Sequence, residues 1–514
     1  MGFMQTYQMV ITPLSPIHLG TGEDFLPTNY VIDNGVLYEF DPASAVLNQK
    51  EINELAGASN SSDIKQVYQF FKNNPRPFRA CAYRVVGISN KVASDYKEKL
   101  GQNVQANNPN GNRRETVIND LSIACTSTNP QTHLPVIYGS AFKGCVRTAV
   151  LNDLCEKKYT DNKQMQTDLL GSFDKDMFSA FKPSDLTAIS HSIDTYASYA
   201  YQYKKHGENK QGAIPIRIET IAPAQYRSFS GSLNIYLEKN TDKKLPDIKE
   251  MVKMLNNYHI AIWDILKQQN IVNEEWRINT TNLLQSLQTQ FNAGKVALIR
   301  LGKLCGAESK TLPQVAKIKI MRGRGQSFDS PTTTTIWLTE DQLPLGWALL
   351  EIQPSVENTE LKTWCENNNH IVKTIKQAIE NAEKEDKKLQ ETLAKQQAEE
   401  QQRKEKEAAE KAEKERMAQE EALAEEQRRA SLSDFERVLE DWQKRLKECS
   451  KDNSQNIFDE FKQFLQNAVS QYPDDDCKKL ARQFNKREQE QYKNVIFGKR
   501  SDELKPLLAK LRGE

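Results

Sequence analysis

The sequence predicts an α+β fold that continues into a long charged helix and a small helical bundle. In the first 370 residues, short β-rich segments alternate with helical stretches, but without the regular spacing of βαβ units. Asn34-Gly35 lies between two β-rich runs and is the strongest short-range signal for a hairpin. From Ile371 to about Arg429 the chain contains neither glycine nor proline, which is typical of an uninterrupted helix.

The composition of the 514 residues narrows the possible partners. Hydrophobic residues make up 38% of the chain and charged residues 27%, which is polar for a globular protein. The 70 Lys and Arg almost cancel the 69 Asp and Glu, so any surface for nucleic acid must be local. The apolar runs are too short to span a bilayer, and we expect no membrane contact.

The cysteine pattern indicates a reducing compartment. None of the eight cysteines belongs to a C-x-x-C pair, and the N-terminal residues do not resemble a secretory signal. Scattered thiols of this kind are usually reduced in cytosolic proteins. We therefore expect a cytoplasmic protein without disulfides.

The charged stretch is predicted to be a helical spacer over residues 371–430. Its apolar positions are mostly alanine, and the larger ones, such as Leu389 and Leu423, are few. This pattern is weak evidence for a coiled coil, because a coiled coil needs large apolar residues at regular heptad positions. A solvated single helix is therefore predicted, and a coiled coil is the alternative.

Residues 431–514 are predicted to form a helical bundle. Ser433 and Glu436 have the spacing of a capping box. Two amphipathic stripes follow, and Pro473 with the acidic run after it marks a loop between helices. The stripes contain Phe435, Val438, Leu439, Trp442 and Leu446, then Phe458, Phe461, Phe464, Leu465 and Ala468.

The sequence lacks the usual patterns for metal binding and nucleophilic catalysis. Its six histidines form no H-E-x-x-H motif and no Cys/His pattern with ligand spacing. A G-x-S-x-G motif is missing, and "GKLCGAESKT" lacks the G-K-[ST] of a phosphate loop. We therefore predict no cofactor, no metal and no nucleotide hydrolysis.

Asp33 allows two interpretations. It could be a metal-binding carboxylate that helps a ribose hydroxyl to attack its own phosphodiester. It could also simply support the turn at Asn34-Gly35. Because Asp33 has no partner carboxylate in the sequence pattern, we predict the structural role and keep catalysis as the alternative.

The stretch "LPVIYGSAFKGCVRTAVL", residues 134–151, predicts a strand that turns into a helix. Ser140 is the predicted N-cap. Lys143 and Arg147 are one turn apart, away from the apolar face, with Gly144 beside them. Small residues and cations at a helix N-terminus suit a phosphate backbone.

Glycine next to a cation recurs in four segments of the first 370 residues. Glycine lets another backbone approach closely, and neighbouring N–H groups together with Lys or Arg bind phosphates. Four such segments predict a surface that follows a single-stranded phosphate backbone. The segments contain His18, Gly20 and Gly22, then Ser140, Lys143, Gly144 and Arg147, then Gly302, Lys303 and Lys310, and finally Arg322 and Arg324.

These stretches resemble the RAMP superfamily of CRISPR type III effector proteins. Within it, they are most similar to the fifth, filament-capping subunit of the type III-A Csm complex. The signature "GSxxKGxxR" of that family matches Gly139, Ser140, Lys143, Gly144 and Arg147. Further similar blocks are "LSPIHLGTGEDFLPTNYVIDNGVLYEFD", "IRIETIAPAQYRSFSGSLNI", "IRLGKLCGAESKT" and "LPLGWALLEI".

The resemblance implies ferredoxin-like (RRM-like) folds in two RAMP regions, residues 1–180 and 181–370. It implies an RNA-binding subunit at the 3′ side of the CRISPR RNA, with that RNA, target RNA, and the backbone and small subunits of the complex as partners. The resemblance also implies that the residues of the four glycine–cation segments given above contact the RNA.

Two departures from the family pattern leave alternatives open. Backbone relatives that cleave target RNA carry an aspartate in a comparable N-terminal loop, near Asp33, whereas capping subunits are not regarded as the nuclease. A metal-dependent endoribonuclease that uses Asp33 is therefore one alternative. The tail beyond about residue 370 has no counterpart in the pattern, and a coiled-coil scaffold is another alternative.

Overall fold

The computed structural model describes residues 3–61, 63–107, 114–156, 159–189, 193–205, 214–312, 315, 318–323, 326–330, 332–450, 453–496 and 498–514. At 104–107, 114–117, 322, 323 and 393 it describes the backbone only. Two compact units are present, Met1–Leu389 and Gln390–Glu514.

The strands lie in the first unit. They are β1 (Met4–Pro13), β2 (Gly20–Phe25), β3 (Tyr30–Asp33), β4 (Val36–Glu39), β5 (Arg84–Ile88), β6 (Asn103–Asn107), β7 (Arg114–Ile118), β8 (Ile123–Thr126), β9 (Val136–Ile137), β10 (Phe181–Pro183), β11 (Leu186–Ala188), β12 (Thr195–Lys204), β13 (Ile216–Ile221), β14 (Phe229–Tyr236), β15 (Val296–Arg300), β16 (Ile318–Gly323), β17 (Gln326–Ser330), β18 (Thr335–Thr339) and β19 (Trp347–Ile352).

The helices begin in the first unit and make up the second. They are α1 (Gln49–Asn60), α2 (Ile64–Asn73), α3 (Pro75–Ala80), α4 (Asn90–Lys99), α5 (Gly139–Leu154), α6 (Asn162–Leu170), α7 (Ile248–Leu266), α8 (Glu274–Ser286), α9 (Gln288–Asn292), α10 (Thr359–Asn368), α11 (His370–Ser431), α12 (Asp434–Glu448), α13 (Ser454–Gln471), α14 (Asp474–Gln483) and α15 (Lys499–Arg512).

An antiparallel sheet carries the largest core of the first unit. Its order is β15-β19-β1-β14-β11-β9, and β10 also pairs with β14. The central pair of strands runs from Met4 opposite Tyr236 to Ile11 opposite Phe229. The apolar sides of α5 and α7 share this core, so burial of apolar surface fixes both helices against the sheet.

A second sheet is mixed. Its order is β2-β8-β13-β12-β5-β4-β3, and β18 also pairs with β12. β12 with β5 and β13 with β8 are parallel, and the other pairs are antiparallel. Ile17, just after β1, bridges to Ile221 at the end of β13. That bridge brings the end of a strand of the first sheet to the second sheet.

The hairpin predicted at Asn34-Gly35 is confirmed. β3 and β4 pair antiparallel on either side of these two residues. Asn34 has a φ of 50° and Gly35 a φ of 75°. Positive φ at both central residues is what a type I′ turn requires, and Asn and Gly tolerate it best.

The mixed fold class with C-terminal helices is confirmed. The ferredoxin-like description stays a prediction, because both sheets have more strands than a four-stranded ferredoxin-like unit. Both sheets also combine strands from either side of residue 180. The boundary predicted at residue 180 therefore does not separate two domains, because each sheet needs strands from both sides of it.

The charged helix is continuous from His370 to Ser431, close to the predicted 371–430. Its first turns belong to the first unit, because Ile371, Val372 and Ile375 are buried there. Farther along, exposed i,i+4 ion pairs such as Arg416–Glu420 stabilise the helix. Within the described residues, no helix combines the length and the apolar character needed to cross a bilayer.

The second unit has a core of its own. The capping box of Ser433 and Glu436 is confirmed at the start of α12. Large apolar side chains of α12–α15, among them Phe458 and Phe461, are fully buried together. Shared burial of this kind makes helices stable that would be marginal alone.

We therefore predict that a polypeptide of residues 431–514 folds without the rest of the chain. Its circular dichroism should show helix that melts in one cooperative transition, because the buried core of α12–α15 lies within it. A matched peptide of residues 395–429, which lacks that core, should melt gradually. A featureless spectrum of the 431–514 polypeptide would contradict an independent unit.

Candidate nucleic-acid interface

A cleft of about 440 Å³ lies between the N-terminus of β2, helix α5 and the loop after β15. We call it the glycine cleft. Three of the four predicted glycine–cation segments contribute to its wall. Its lining consists of Leu19, Gly20, Tyr138, Ala141, Gly144, Cys145, Thr148, Arg300, Leu301, Gly302, Lys303, Ser309 and Lys310.

Close backbone packing joins two of these segments. The Lys303 N–H donates to the His18 carbonyl over 2.8 Å. Gly302 has a φ of +94°, and a Cβ at this position would lie 2.5 Å from the same carbonyl oxygen. Only glycine adopts this φ readily and leaves room for the carbonyl oxygen. Gly302 therefore allows the β15 loop to pack against the His18 segment.

Gly20 is needed for a similar reason. A Cβ there would lie 2.9 Å from His18 Nε2 and 3.4 Å from Lys303 Nζ. The absence of a side chain therefore keeps the ammonium of Lys303 beside the backbone of β2. Together with Gly302, this brings one cation and two glycine backbones to one edge of the cleft.

His18 does not supply a charge to the cleft. Its side chain is buried, and Nδ1 lies 2.7 Å from the backbone carbonyl oxygen of Glu219. A carbonyl only accepts, so Nδ1 donates. Burial lowers the pKa of the imidazole below its usual value. His18 is thus a neutral positioning residue.

Lys303 and Lys310 are the exposed cations of the glycine cleft. Neither forms an ion pair with any residue that the structure describes. The described lining of the cleft contains no Asp or Glu. The two ammonium groups therefore make this wall electropositive, as an anion site requires.

Arg300 is a third cation of the glycine cleft, and it was not among the residues predicted from the sequence. It is buried at the end of β15, where Nε donates to the Leu345 carbonyl over 3.0 Å and Nη1 lies 3.3 Å from Ser309 Oγ. The guanidinium lies 4.9 Å from the ring centre of Trp347. Burial lowers the pKa of Arg300, and no ion pair within the described chain compensates it. In the sequence, the feature that could have indicated this residue is an arginine inside the apolar run "VALIRL".

Helix α5 presents its small residues to the cleft. Ala141, Gly144 and Thr148 are spaced along one face of the helix and line the wall. A Cβ on Gly144 would have no other atom within 4 Å. Packing therefore does not require glycine here, and the open space is on the cleft side.

Lys143 and Arg147 were predicted to contact RNA together with Gly144, but of these three residues only Gly144 lines the glycine cleft, and the contact of the two cations with RNA stays a prediction. Lys143 Nζ donates to the carbonyls of Phe178 and Phe181 over 2.7 and 3.1 Å. Arg147 forms an ion pair with Asp176, and Nη2 lies 2.7 Å from its carboxylate. Both cations hold the segment around Phe178 on the other side of α5.

The start of α5 also differs from the prediction. The helix begins at Gly139, and Tyr138 rather than Ser140 occupies the N-cap position. The Gly139 N–H donates to the carboxylate of Asp185 over 2.7 Å. An acid 46 residues along the chain thus takes one of the helix donors that a phosphate would otherwise use.

The remaining predicted residues do not join the cleft. Gly22 lies in the exposed part of β2, outside the lining. Arg322 lies on β16, where the structure describes the backbone only. Arg324 lies outside the described residues. The roles of these residues toward RNA stay predictions.

Cys145 and His259 form a neutral pair in the wall of the cleft. The Cys145 Sγ atom lies 3.5 Å from His259 Nε2, and His259 Nδ1 lies 2.9 Å from the Leu255 carbonyl oxygen. Burial raises the pKa of Cys145 to about 12 and lowers that of His259 to about 4. The thiol is therefore protonated at neutral pH and is not an activated nucleophile.

Asp33 is part of an ion-pair network. Its carboxylate is bonded to Arg79, which also bonds Asp386 of helix α11. The side chain of Arg79 is only 7% exposed and lies over the ring of Tyr38. Among the described residues, no group of three or more His, Cys, Asp or Glu side chains could hold a metal ion.

Comparisons with known proteins give one family match. The family model described as the RAMP superfamily matches residues 10–262. No curated protein matches the chain. A chain of a Csm–crRNA–target RNA ternary complex from a type III-A CRISPR-Cas system is 15% identical, with 68% of this chain and 100% of that chain covered and a TM-score of 0.40. Csm5 of T. onnurineus is 14% identical, with 66% and 99% covered and a TM-score of 0.34.

Proposed function

This chain belongs to the RAMP superfamily, and on that premise we propose that it is an RNA-binding subunit of a type III CRISPR interference complex. The observation that carries the proposal is the convergence of Gly20, Gly144 and Gly302 on one cleft with Lys303 and Lys310. The three glycines are far apart in the sequence and approach each other only in the fold.

The chemistry of the glycine cleft suits a phosphate backbone. Lys303, Lys310 and Arg300 supply positive charge, and the described lining has no carboxylate to oppose it. Glycine and alanine leave the walls open to a strand that passes between α5 and the β15 loop. Lysine contacts to phosphate position a strand without reading its sequence. A guide whose sequence changes from one complex to the next needs this kind of contact.

The sequence resemblance supports a capping position at the 3′ side of the CRISPR RNA. In this arrangement the guide lies in the glycine cleft, and the backbone subunits of the filament pack beside it. Target RNA reaches the chain through its pairing with the guide. The helical second unit would meet another subunit of the assembly.

We further propose that the chain is not a nuclease. The Asp33 carboxylate is bonded to the buried Arg79, which also bonds Asp386, so it belongs to an ion-pair network that supports a structural role. The neutral pair of Cys145 and His259 offers no nucleophile in the glycine cleft. Cleavage of RNA, where the assembly performs it, then belongs to neighbouring subunits.

The Asp33→Ala variant tests whether this chain cleaves RNA. We expect RNA cleavage by the assembly to continue at every site, and the stability of the chain to fall by about 1–3 kcal/mol because Arg79 loses one of two partners. Asp386→Ala is the matched control, since it removes the other partner of the same arginine. Loss of cleavage at one site in Asp33→Ala alone, with the assembly intact, would show that Asp33 is catalytic.

The proposed function itself is tested on the native assembly. The complex is purified through a tag on this chain, and its RNA is extracted and sequenced. We expect RNAs of regular length that contain CRISPR repeat sequence. An isolated chain that cleaves RNA with a metal ion, or an assembly without RNA, would contradict the proposal.

A further inference from the structure

A second cavity lies directly beside the glycine cleft. It has a volume of about 320 Å³, at the lower end of the roughly 300–1,000 Å³ found for small-molecule pockets. Arg300 and Lys310 line both cavities. A group bound here is therefore next to any phosphate that these two cations hold.

The lining of this cavity combines apolar and polar side chains. Apolar side chains of α7 and β18 form one part of its wall, and Ile265 is 43% exposed there. Trp337 is half-buried on β18 and lines the same wall, so we call the cavity the tryptophan pocket. Large exposed apolar groups in a concave site are typical of a ligand surface.

Polar groups also line the tryptophan pocket. Glu308 accepts hydrogen bonds from Lys205 Nζ and from the Thr333 N–H, each over 2.6 Å, so its charge is compensated. The side-chain amide of Gln269 makes no hydrogen bond to a described residue and is able to donate and to accept. The pocket thus offers apolar side chains, a carboxylate whose charge is already paired, and one amide that is available for a ligand.

We propose that the tryptophan pocket holds one unstacked nucleobase of the strand whose phosphates lie in the glycine cleft. A nucleobase has a flat apolar face and an edge of donors and acceptors, which matches a lining that offers both apolar and polar side chains. Aromatic side chains bind bases of any sequence by stacking. This inference rests on the proposed function, since it assigns a base site to the same bound strand.

The shared cations make the two sites one binding unit. Lys310 is exposed and able to contact the phosphate of the nucleotide that turns into the pocket. Arg300 is held by Leu345 and Ser309 between the two cavities. In this proposal, a strand whose phosphates lie in the glycine cleft has one base in the tryptophan pocket, with Arg300 in contact with both sites.

The test compares two strands of equal length, a single-stranded RNA and an abasic ribose–phosphate strand. The full chain should bind the RNA more tightly, and Trp337→Ala should reduce this preference by about tenfold, the effect of losing one stacked base. Ile265→Ser should act in the same direction. It is a safer variant for folding, because Ile265 is partly exposed on the surface of α7.

Two control variants separate the tryptophan pocket from the glycine cleft. Phe173→Ala removes an aromatic residue that is 97% exposed outside both cavities, and it should leave binding of both strands unchanged. Lys303→Ala should weaken binding of both strands equally. If Trp337→Ala and Ile265→Ser keep the full preference for RNA, the base pocket is wrong and the phosphate cleft stands. If the wild type binds neither strand, the proposed function fails as well.

Discussion

Replacing Lys303 and Lys310 together by alanine will weaken the binding of single-stranded RNA by about a hundredfold at low salt. Each ammonium is exposed in the glycine cleft and without an ion pair among the described residues, so each is free to bond a phosphate. A hydrogen bond to a charged group contributes roughly 1.5 kcal/mol, and two such losses give that factor.

The same double variant will change the dependence of binding on salt. Each phosphate contact of a single strand contributes about 0.7 to the slope of log K against log salt, so the slope should fall by about 1.4. Fluorescence anisotropy with a labelled RNA across a range of salt concentrations measures both effects.

Lys143→Ala/Arg147→Ala is the matched control because it removes the same charge. Those two cations are bonded to carbonyls of Phe178 and Phe181 and to Asp176. We expect a loss of stability of about 2 kcal/mol, with the salt slope unchanged. A fall in slope for the control, without one for Lys303→Ala/Lys310→Ala, would place the RNA on the opposite side of α5.

Gly302→Ala will have the largest effect on stability among substitutions at the glycine cleft. A Cβ there lies 2.5 Å from the His18 carbonyl oxygen, and the φ of +94° disfavours every residue with a side chain. Backbone strain and overpacking each cost about 1–3 kcal/mol, so we expect a loss of about 2–4 kcal/mol. Denaturant unfolding of the first unit measures it.

Gly144→Ala is the control for this prediction. Its Cβ has no other atom within 4 Å, and alanine is the better helix former by about 1 kcal/mol. This variant should be at least as stable as the wild type. Gly144→Leu should also fold, but its side chain should block the cleft and weaken RNA binding even in low salt. Equal stabilities of Gly302→Ala and Gly144→Ala would contradict the close contact between Gly302 and His18.

Local features were predictable where neighbouring residues determine them. The turn at Asn34-Gly35 and the capping box of Ser433 and Glu436 depend on short-range geometry, and both are confirmed. The charged helix depends on composition, and its ends differ from the prediction by one residue on each side.

Long-range contacts explain what the sequence could not show. The N-terminus of α5 is bonded by Asp185, and the Lys143 ammonium by two carbonyls beyond residue 177. Helical spacing separated Lys143 and Arg147 from the apolar face but did not tell which neighbour they meet. Arg300 was missed because its place between two cavities depends on the loops after β15 and before β19.

The glycine segments were predicted as a set, and the structure shows which of them meet. Gly20, Gly144 and Gly302 line one cleft, while Gly22 lies outside it. A glycine beside a cation indicates that a segment is able to bind phosphate. Where each segment lies depends on long-range pairing and packing: β15 pairs with β19, β2 pairs with β8, and α5 packs against the core of the first sheet.

Photo-crosslinking in the native assembly tests most directly that this chain binds RNA in the glycine cleft. Cells are grown so that the RNA of the assembly carries 4-thiouridine, and the irradiated complex is digested and analysed by mass spectrometry. We expect crosslinked peptides from residues 138–148 and 300–310, because both segments line the cleft. Crosslinks confined to other surfaces of the chain, with none in these two segments, would contradict the account.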